Sequence, residues 1–158
     1  GTYKDGKKDG LWTRWYANGK KEWEQHFKNG MLDGLKTNWY GDGQKEDEFY
    51  YKNGKKEGLW TEWWKNGQKY SEQQYKDGKA DGRYTVWNED GQKFLEVYYK
   101  NGKKDGLETY WYDNGKKQSE AHYKNGKRDG LWTRWDEDGN KTSEIEYKND
   151  DEVSRKEF

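Results

Sequence analysis

Residues that could carry out acid–base or nucleophilic chemistry occur in the chain, but their spacing keeps them apart. His26 and His122 are the only histidines and lie at the same place in a repeating unit, four copies apart. Eight strands of the expected sheet, about 38 Å at a spacing of about 4.8 Å, would separate them. Ser119 lies three residues before His122, and strand residues three apart face opposite sides of a sheet. We therefore expect both histidines to be surface residues, with no Ser–His pair.

Carboxylates are more regularly placed, because one glutamate recurs every 24 residues. This ladder comprises Glu24, Glu48, Glu72, Glu96, Glu120 and Glu144. Paired carboxylates can catalyse proton transfer, but cross-strand pairing with Lys or Trp explains one glutamate in every repeat better. The acidic residues of the segment 136–140 resemble the start of a calcium-binding loop, but the ligands that such a loop needs further along the chain are missing. The segments 40–43 and 88–91, at the same place in other repeats, have the sequences of turns. We expect no catalytic residue, no metal, no cofactor and no enzymatic activity.

The elements that hold these residues form a 24-residue repeat without insertions. An aromatic residue followed by Lys and by Asp or Asn recurs at Tyr3, Phe27, Tyr51, Tyr75, Tyr99, Tyr123 and Tyr147. Taking this aromatic residue as position 1, positions 4, 8 and 17 are Gly, position 11 is Thr, position 13 is Trp, position 19 is Lys and position 22 is Glu in all six full copies. Residues 3–150 are six repeats and the start of a seventh, and residues 151–158 are expected to be a polar C-terminal cap.

Two turn signals divide each repeat into two strands. Positions 3–4 and positions 16–17 read Asn-Gly or Asp-Gly, the strongest short-range hairpin signal. Strands are expected at about positions 8–14 and 18–24, giving twelve or thirteen strands. Only 28% of the residues are hydrophobic and 18% are aromatic, too few aliphatic side chains for a sandwich or barrel. The sequence predicts an all-β fold, an elongated antiparallel meander of repeated hairpins in a single twisted or curled sheet.

The loop at positions 15–17 determines which side chains share a face. A two-residue loop would pair position 12 with 21, and a three-residue loop with Gly in the left-handed region and a bulge would pair 12 with 20. The second register is favoured, because it gives better cross-strand pairs. Examples are Arg14–Glu22, Thr61–Ser71 and Leu131–Ile145. Positions 9, 11, 13, 21, 23 and 1 would then share one face.

That face, which we name the uniform face after its positions 9, 11 and 13, hardly changes between repeats. Its invariant tryptophans are predicted to be structural, each making the same contact with the next copy. They are Trp15, Trp39, Trp63, Trp87, Trp111 and Trp135. The Lys stem at position 19 is expected to lie across the Trp ring.

The opposite face, named the variable face after positions 10, 12 and 14, differs from repeat to repeat. Trp, Tyr and Arg are enriched at protein interfaces, so this face is predicted to bind a partner. The candidate residues are Trp12, Arg14, Tyr16, Tyr40, Trp60, Glu62, Trp64, Tyr84, Tyr110, Tyr112, Trp132 and Arg134. Cross-strand packing on an exposed sheet is the other role open to these aromatic residues.

The segment 51–69, Tyr-Lys-Asn-Gly-Lys-Lys-Glu-Gly-Leu-Trp-Thr-Glu-Trp-Trp-Lys-Asn-Gly-Gln-Lys, resembles the MORN-repeat variant of bacterial YwqK-like antitoxins. The likeness covers residues 3 to about 150. It implies an elongated β-meander and a partner-binding protein, in some members one that neutralises a toxin encoded nearby, and it carries over no catalytic residue. Repeats 2 and 4 depart most, with Met31-Leu32 in place of Lys-Lys, and with Arg83 and Asn88 in place of Leu and Tyr.

Other functions and partners stay open at this point. Near-identical copies suit a structural spacer, and the lysines at positions 2, 5 and 6 could bind nucleic acid or anionic lipid. The net charge of the chain is zero, and every repeat has Asp or Glu at position 7, next to these lysines. Solubility and protection of the sheet edge are therefore the favoured roles of these lysines. A face-to-face homodimer is a further alternative. There is no Cys and no apolar run of membrane-spanning length; a cytoplasmic location is expected, with a leader removed before Gly1 as the alternative.

Overall fold

The computed structural model describes all 158 residues as β-strands and turns, in two compact units, Gly1–Lys79 and Ala80–Phe158. The strands of the first unit are β1 (Thr2–Lys4), β2 (Lys7–Trp15), β3 (Lys21–Lys28), β4 (Met31–Trp39), β5 (Lys45–Lys52), β6 (Lys55–Lys56), β7 (Gly58–Trp63) and β8 (Lys69–Lys76). Those of the second are β9 (Lys79–Trp87, starting one residue before the unit), β10 (Lys93–Lys100), β11 (Lys103–Trp111), β12 (Lys117–Lys124), β13 (Lys127–Trp135), β14 (Lys141–Lys148) and β15 (Asp151–Glu157).

Within each unit every strand pairs antiparallel with its neighbours in the chain, except that β6 and β7 both pair with β5 and not with each other, so the predicted all-β meander of repeated hairpins is confirmed. The fifteen strands exceed the expected number for two reasons. The chain pairs at both ends, as β1 with β2 and as β15 with β14, and Glu57 separates β6 from β7. No element is a helix long and apolar enough to cross a membrane.

The turn at positions 3–4 joins each repeat to the one before it. In the turn at Asn29 and Gly30 both residues have positive φ, 52° and 83°, which is the type I′ geometry that Asn-Gly favours. The Gly30 N–H donates to the Lys8 carbonyl at 2.8 Å, and the Asn29 N–H to the Asp9 carboxylate at 3.3 Å. Equivalent glycine bonds within the units run from Gly54 to Leu32, Gly78 to Lys56, Gly102 to Ala80 and Gly126 to Lys104. Each turn is therefore held by the preceding repeat.

The turn at positions 15–17 is the expected three-residue loop, but the predicted register beyond it is wrong. Tyr16 N–H donates to the Lys20 carbonyl at 2.8 Å, and Gly19 has φ 82°. Trp15 then pairs with Lys21, whereas Arg14 pairs with Trp23. Glu22 is an extra residue between the two pairs, a β-bulge, and the same shift occurs at position 20 of all six hairpins. Thr13 consequently lies opposite Glu24, in the register that pairs position 12 with position 21.

The bulge also corrects the predicted faces. Because it adds one residue to the second strand, positions 21, 23 and 1 lie on the variable face instead of the uniform face. The ring contacts follow this arrangement: Trp12 lies 5.1 Å from Tyr3 and 6.4 Å from Phe27, between ring centroids. Of the expected pairs, Arg14 and Glu22 still meet diagonally, with Nε 2.9 Å from Oε2, while Leu131 lies opposite Glu146.

The core is small and lies mainly along position 23 of the variable face. In the second unit Val97 and Ile145 are each 1% exposed, and Ala121 is also buried there. The first unit has Phe49 and the polar Gln73 at this position. Burial of a Val or Ile side chain contributes about 1.5–3 kcal/mol. Because the apolar core is small, contacts between aromatic rings, and between these rings and the cations over them, must contribute much of the packing.

Candidate functional site

The uniform face carries one polar network that recurs in each repeat. Lys21 Nζ is 2.5 Å from Glu24 Oε2, and the Thr13 hydroxyl donates to the same oxygen at 3.4 Å. Lys–Glu pairs with the same spacing occur in all six repeats. The threonine at position 11, opposite the glutamate, is buried in repeats 2 to 6. The glutamate ladder is thus held by lysines of its own strand, three residues earlier, and a threonine lies opposite each glutamate.

The same lysines cover the invariant tryptophans of the following repeat. Lys21 Nζ lies 5.3 Å from the centroid of the Trp39 ring, and Lys45 Nζ 5.4 Å from that of Trp63. The second unit repeats this contact at Trp111 and Trp135. Trp15, the invariant tryptophan of repeat 1, is 56% exposed.

On the variable face, the cation at position 6 lies over the rings at positions 10 and 1. Lys56 Nζ is 3.5 Å from the Trp60 centroid and 4.8 Å from that of Tyr75. Lys8 lies in the same way over Trp12, and Arg128 over Trp132 and Tyr147. Burial lowers the pKa of Lys56. These cations are engaged with aromatic rings, which leaves fewer of the edge lysines free for a polyanion.

Repeats without Trp at position 10 compensate locally. In repeat 5 the buried Glu108 forms an ion pair with Lys104. In repeat 2 the cation moves from position 6, now Leu32, to position 10, where Lys36 Nζ lies 5.7 Å from the Phe49 ring. The matching between positions 6 and 10 is visible in the sequence only when the two positions are compared as a pair.

Tyrosines at position 14 tie one repeat to the next. The hydroxyl of Tyr16 donates to the Trp39 carbonyl, that of Tyr40 to the Trp63 carbonyl and that of Tyr112 to the Trp135 carbonyl, each at 2.8 Å. These three candidate binding residues therefore also hold the sheet together. At the same position Trp64 instead packs edge-on against Tyr70, with centroids 4.6 Å apart.

An acidic row crosses the variable face of the first unit. Asp47 pairs in register with Asn38 on one side and Glu62 on the other. Asn38 Nδ2 donates to Asp47 Oδ1 at 2.6 Å, and the Ser71 hydroxyl to Glu62 at 2.5 Å. Burial raises the pKa of Asp47 to about 6, although the bond from Asn38 acts in the opposite direction.

An open cleft of about 420 Å³ lies on the variable face of the second unit, between the β11–β12 and β13–β14 hairpins. Its lining includes Tyr112, Ser119, Trp132, Arg134, Asp136 and Thr142. Thr142 is the bulge residue of its hairpin, and bulges re-aim side chains. Three of the candidate binding residues, Tyr112, Trp132 and Arg134, are thus brought together around one cavity.

Other candidate residues lie elsewhere or have local partners. Arg14 pairs with Glu22, while Tyr84 and Tyr110 pack against Tyr99 and Phe94, respectively. Trp12 and Trp60 have buried indole N–H groups with no hydrogen-bond partner. His26 and His122 are exposed in separate units, with their Cβ atoms against Gly34 and Gly130. At 136–140 the segment forms a turn, in which Asn140 donates to both carboxylate oxygens of Asp136.

Comparison with known proteins agrees with the repeat geometry. The MORN repeat variant family matches residues 8–29, 56–77, 80–101, 104–125 and 128–149, more than half of the chain. Repeat 2, where Met31-Leu32 and Lys36 depart from the other copies, is not among the matched segments. None of the curated proteins compared with the chain matches it. With its hairpins, bulges and inter-repeat bonds recurring at the matched positions, the chain belongs to the MORN repeat variant family.

Proposed function

We propose that this protein is a non-enzymatic binding module that holds a partner protein on its variable face. The cleft lined by Tyr112, Trp132 and Arg134 is the observation that carries the proposal. Trp, Tyr and Arg supply most of the binding energy at protein interfaces, particularly where they flank a pocket. A frame that is constant between repeats, with side chains that differ at positions 10, 12 and 14, suits recognition of one partner by a repeat protein.

The test is site-specific photo-crosslinking in lysate of the source cells. A benzophenone amino acid is placed at Thr142, on the variable face, or at Leu131, on the uniform face of the same hairpin. Both positions are exposed. We expect one protein to crosslink from position 142 and not from position 131, and that protein, once purified, to bind the intact chain with a Kd of about 1 μM or tighter. Equal crosslinking from both positions, or none, contradicts the proposal.

We propose further that the partner is a toxin, inhibited by steric occlusion, and that the pair acts in the cytoplasm. This rests on the resemblance to YwqK-like antitoxins. Expression of the crosslinked partner alone is expected to arrest growth, and co-expression of this chain to restore it. A partner whose expression does not affect growth would leave the binding module without an antitoxin role.

A structural spacer is the second candidate function, and the bonds between repeats favour it. Turn glycines, position-14 tyrosines and position-19 lysines each contact a neighbouring repeat. In a spacer, length is the selected property, and no specific crosslink forms from either face. Cells that tolerate loss of the cleft side chains but not loss of a repeat would support this function over partner binding.

A further inference from the structure

Arg134 lies in the cleft of the second unit without an ionic partner. Its guanidinium stacks on Trp132, 4.0 Å from the ring centroid. Its neighbours in register are Ser119 and Ser143, and the side chain is exposed. A guanidinium has five N–H donors and remains charged at physiological pH. The Trp132 ring on one side, and Ser119 and Ser143 on the two neighbouring strands, therefore keep the guanidinium charge at the cavity.

The same heptapeptide occurs in repeat 1, where the arginine is neutralised. Residues 9–15 and 129–135 are identical, Asp-Gly-Leu-Trp-Thr-Arg-Trp. Arg14 Nε lies 2.9 Å from Glu22 Oε2. The residue equivalent to Glu22 in repeat 6 is Thr142, which has no charge. Repeat 1 therefore shows the carboxylate position that this backbone accommodates beside the arginine, and repeat 6 leaves that position without a carboxylate.

We propose that the cleft binds a carboxylate side chain from an acidic segment of the partner protein, with Arg134 as the anchoring residue. The carboxylate occupies the place that Glu22 takes in repeat 1, and the neighbouring side chain of the partner lies against Trp132 and Tyr112. Carboxylate–guanidinium pairs are directional and can be bidentate. This inference rests on the proposed function, since it names the chemistry of the partner at the same site.

The charges that line the cleft favour a monoanion. Asp136 lies in the same lining, and its bonds from Asn140 lower its pKa, so that it remains ionised near neutral pH. Arg134 and Asp136 together contribute no net charge. A single carboxylate can be placed next to Arg134, whereas a phosphate dianion would meet the carboxylate of Asp136, and the other cation near Trp132, Arg128, is paired with Asp150.

The binding test uses the full chain and the dipeptide acetyl-Phe-Glu-amide, with acetyl-Phe-Gln-amide as the uncharged probe. Titration is followed by NMR at the Nε–H of Arg134 and the indole N–H of Trp132. We expect the Glu probe to bind with a Kd on the order of 1 mM and the Gln probe at least about tenfold more weakly. Equal affinity of the two probes would overturn the proposal. So would tighter binding of acetyl-Phe-phosphoserine-amide, which would identify a phosphate site instead.

Four variants locate the site. Arg134→Gln is expected to weaken binding at least about tenfold, and Arg83→Gln, on the uniform face of the same unit, to leave it unchanged. Thr142→Glu places an internal carboxylate beside Arg134 and is expected to block the probe. Glu22→Thr frees Arg14, but the strand that pairs with β2 on the side away from β3 is the three-residue β1, which does not form a wall like that of the β11–β12 hairpin, so no second site is expected. Unchanged binding in Thr142→Glu, or an equally strong new site in Glu22→Thr, would overturn the assignment.

The two proposals can fail separately. If the crosslinked partner binds the Arg134→Gln variant as tightly as the unchanged chain, the binding module stands and the carboxylate site is wrong. If the Glu probe binds at Arg134 but no partner crosslinks from position 142, the carboxylate site stands and the proposed function is wrong.

Discussion

At the scale of single residues, the variable face tolerates large chemical changes because each is matched nearby. Glu108 replaces a tryptophan and is compensated by Lys104 on the same strand. Lys36 replaces another tryptophan, and its partner position becomes Leu32. A buried charge without its partner would be costly. The side chains at positions 6 and 10 are therefore matched as a pair, which the residue types at each position alone could not predict.

Asp47 is expected to make stability depend on pH. Its pKa is raised from 3.8 to about 6 by burial in the folded protein, so the folded state binds the proton more tightly than the unfolded state. The contribution of this group to the free energy of unfolding therefore increases as pH falls from about 6 towards 4. Above pH 6 the ionised carboxylate reduces stability by an amount on the order of 1 kcal/mol, after allowance for solvent screening.

Asp47→Asn keeps the oxygen that accepts the Asn38 bond and removes the charge. We expect this variant to be more stable than the unchanged chain at pH 7.5 and to lose most of the advantage at pH 4, where the pH lies close to the unfolded pKa, as measured by urea unfolding. Asp113→Asn, at an exposed turn residue, is the control. An equal stability difference at both pH values in Asp47→Asn would contradict the assigned titration.

At the scale of elements, the hairpins combine turns that sequence predicts well with a bulge whose place and register it does not. Asn-Gly determines the type I′ turn because both residues must take positive φ. The bulge residues share no chemistry: Glu22, Glu46, Tyr70, Phe94, Gln118 and Thr142. Apolar matching favoured the wrong register, whereas the invariant Thr and Glu, which the correct register places opposite each other, were the useful signal. The cleft depends on this bulge and was therefore not predicted as a cavity.

Gly34 is expected to be the most sensitive glycine of its hairpin. Its φ is 118°, and an added Cβ would lie 2.9 Å from the Cβ of His26. Gly34→Ala combines backbone strain with a clash against a strand and should lower stability by about 2 kcal/mol or more. Gly19→Ala, with φ 82° and open space, should cost about 1 kcal/mol.

Gly41→Ala is the matched control, because Gly41 has no positive φ and no atom within 4 Å of the added Cβ. Its denaturant midpoint should stay close to that of the unchanged chain. If the denaturant midpoint of Gly34→Ala equals that of Gly41→Ala, the backbones of β3 and β4 can move apart at this point without loss of stability.

At the scale of the whole molecule, each unit is held by contacts between successive repeats more than by a central core. Strands pair with chain neighbours, and the tyrosine, lysine and turn contacts reach the adjacent copy. Stability in such arrays is approximately the sum of repeat and interface terms. The expected meander followed from the exact 24-residue spacing. The position of the core did not, because it depends on a one-residue shift at each bulge.

Deletion of whole repeats tests this organisation. Removal of the 24 residues 103–126 joins Gly102 to Lys127 and restores an Asn-Gly-Lys turn. This variant is expected to remain folded, with a lower urea midpoint. Removal of only the 23 residues 103–125 leaves one extra glycine at the turn and should shift the register of the following strand, exposing Ile145. Near-ultraviolet circular dichroism distinguishes the two, and equal loss of tertiary signal in both variants would contradict a modular array.

The bonds of the turn glycines have a consequence for exchange with solvent. Amides in exposed turns usually exchange quickly, because water replaces their weak local bonds. Here the N–H of Gly54 is bonded to the Leu32 carbonyl at 2.7 Å, and that of Gly126 to the Lys104 carbonyl at 2.7 Å. Such an amide can exchange only when one repeat separates from the one before it. These exposed turn glycines are therefore the sites at which deuterium uptake reports how often adjacent repeats come apart.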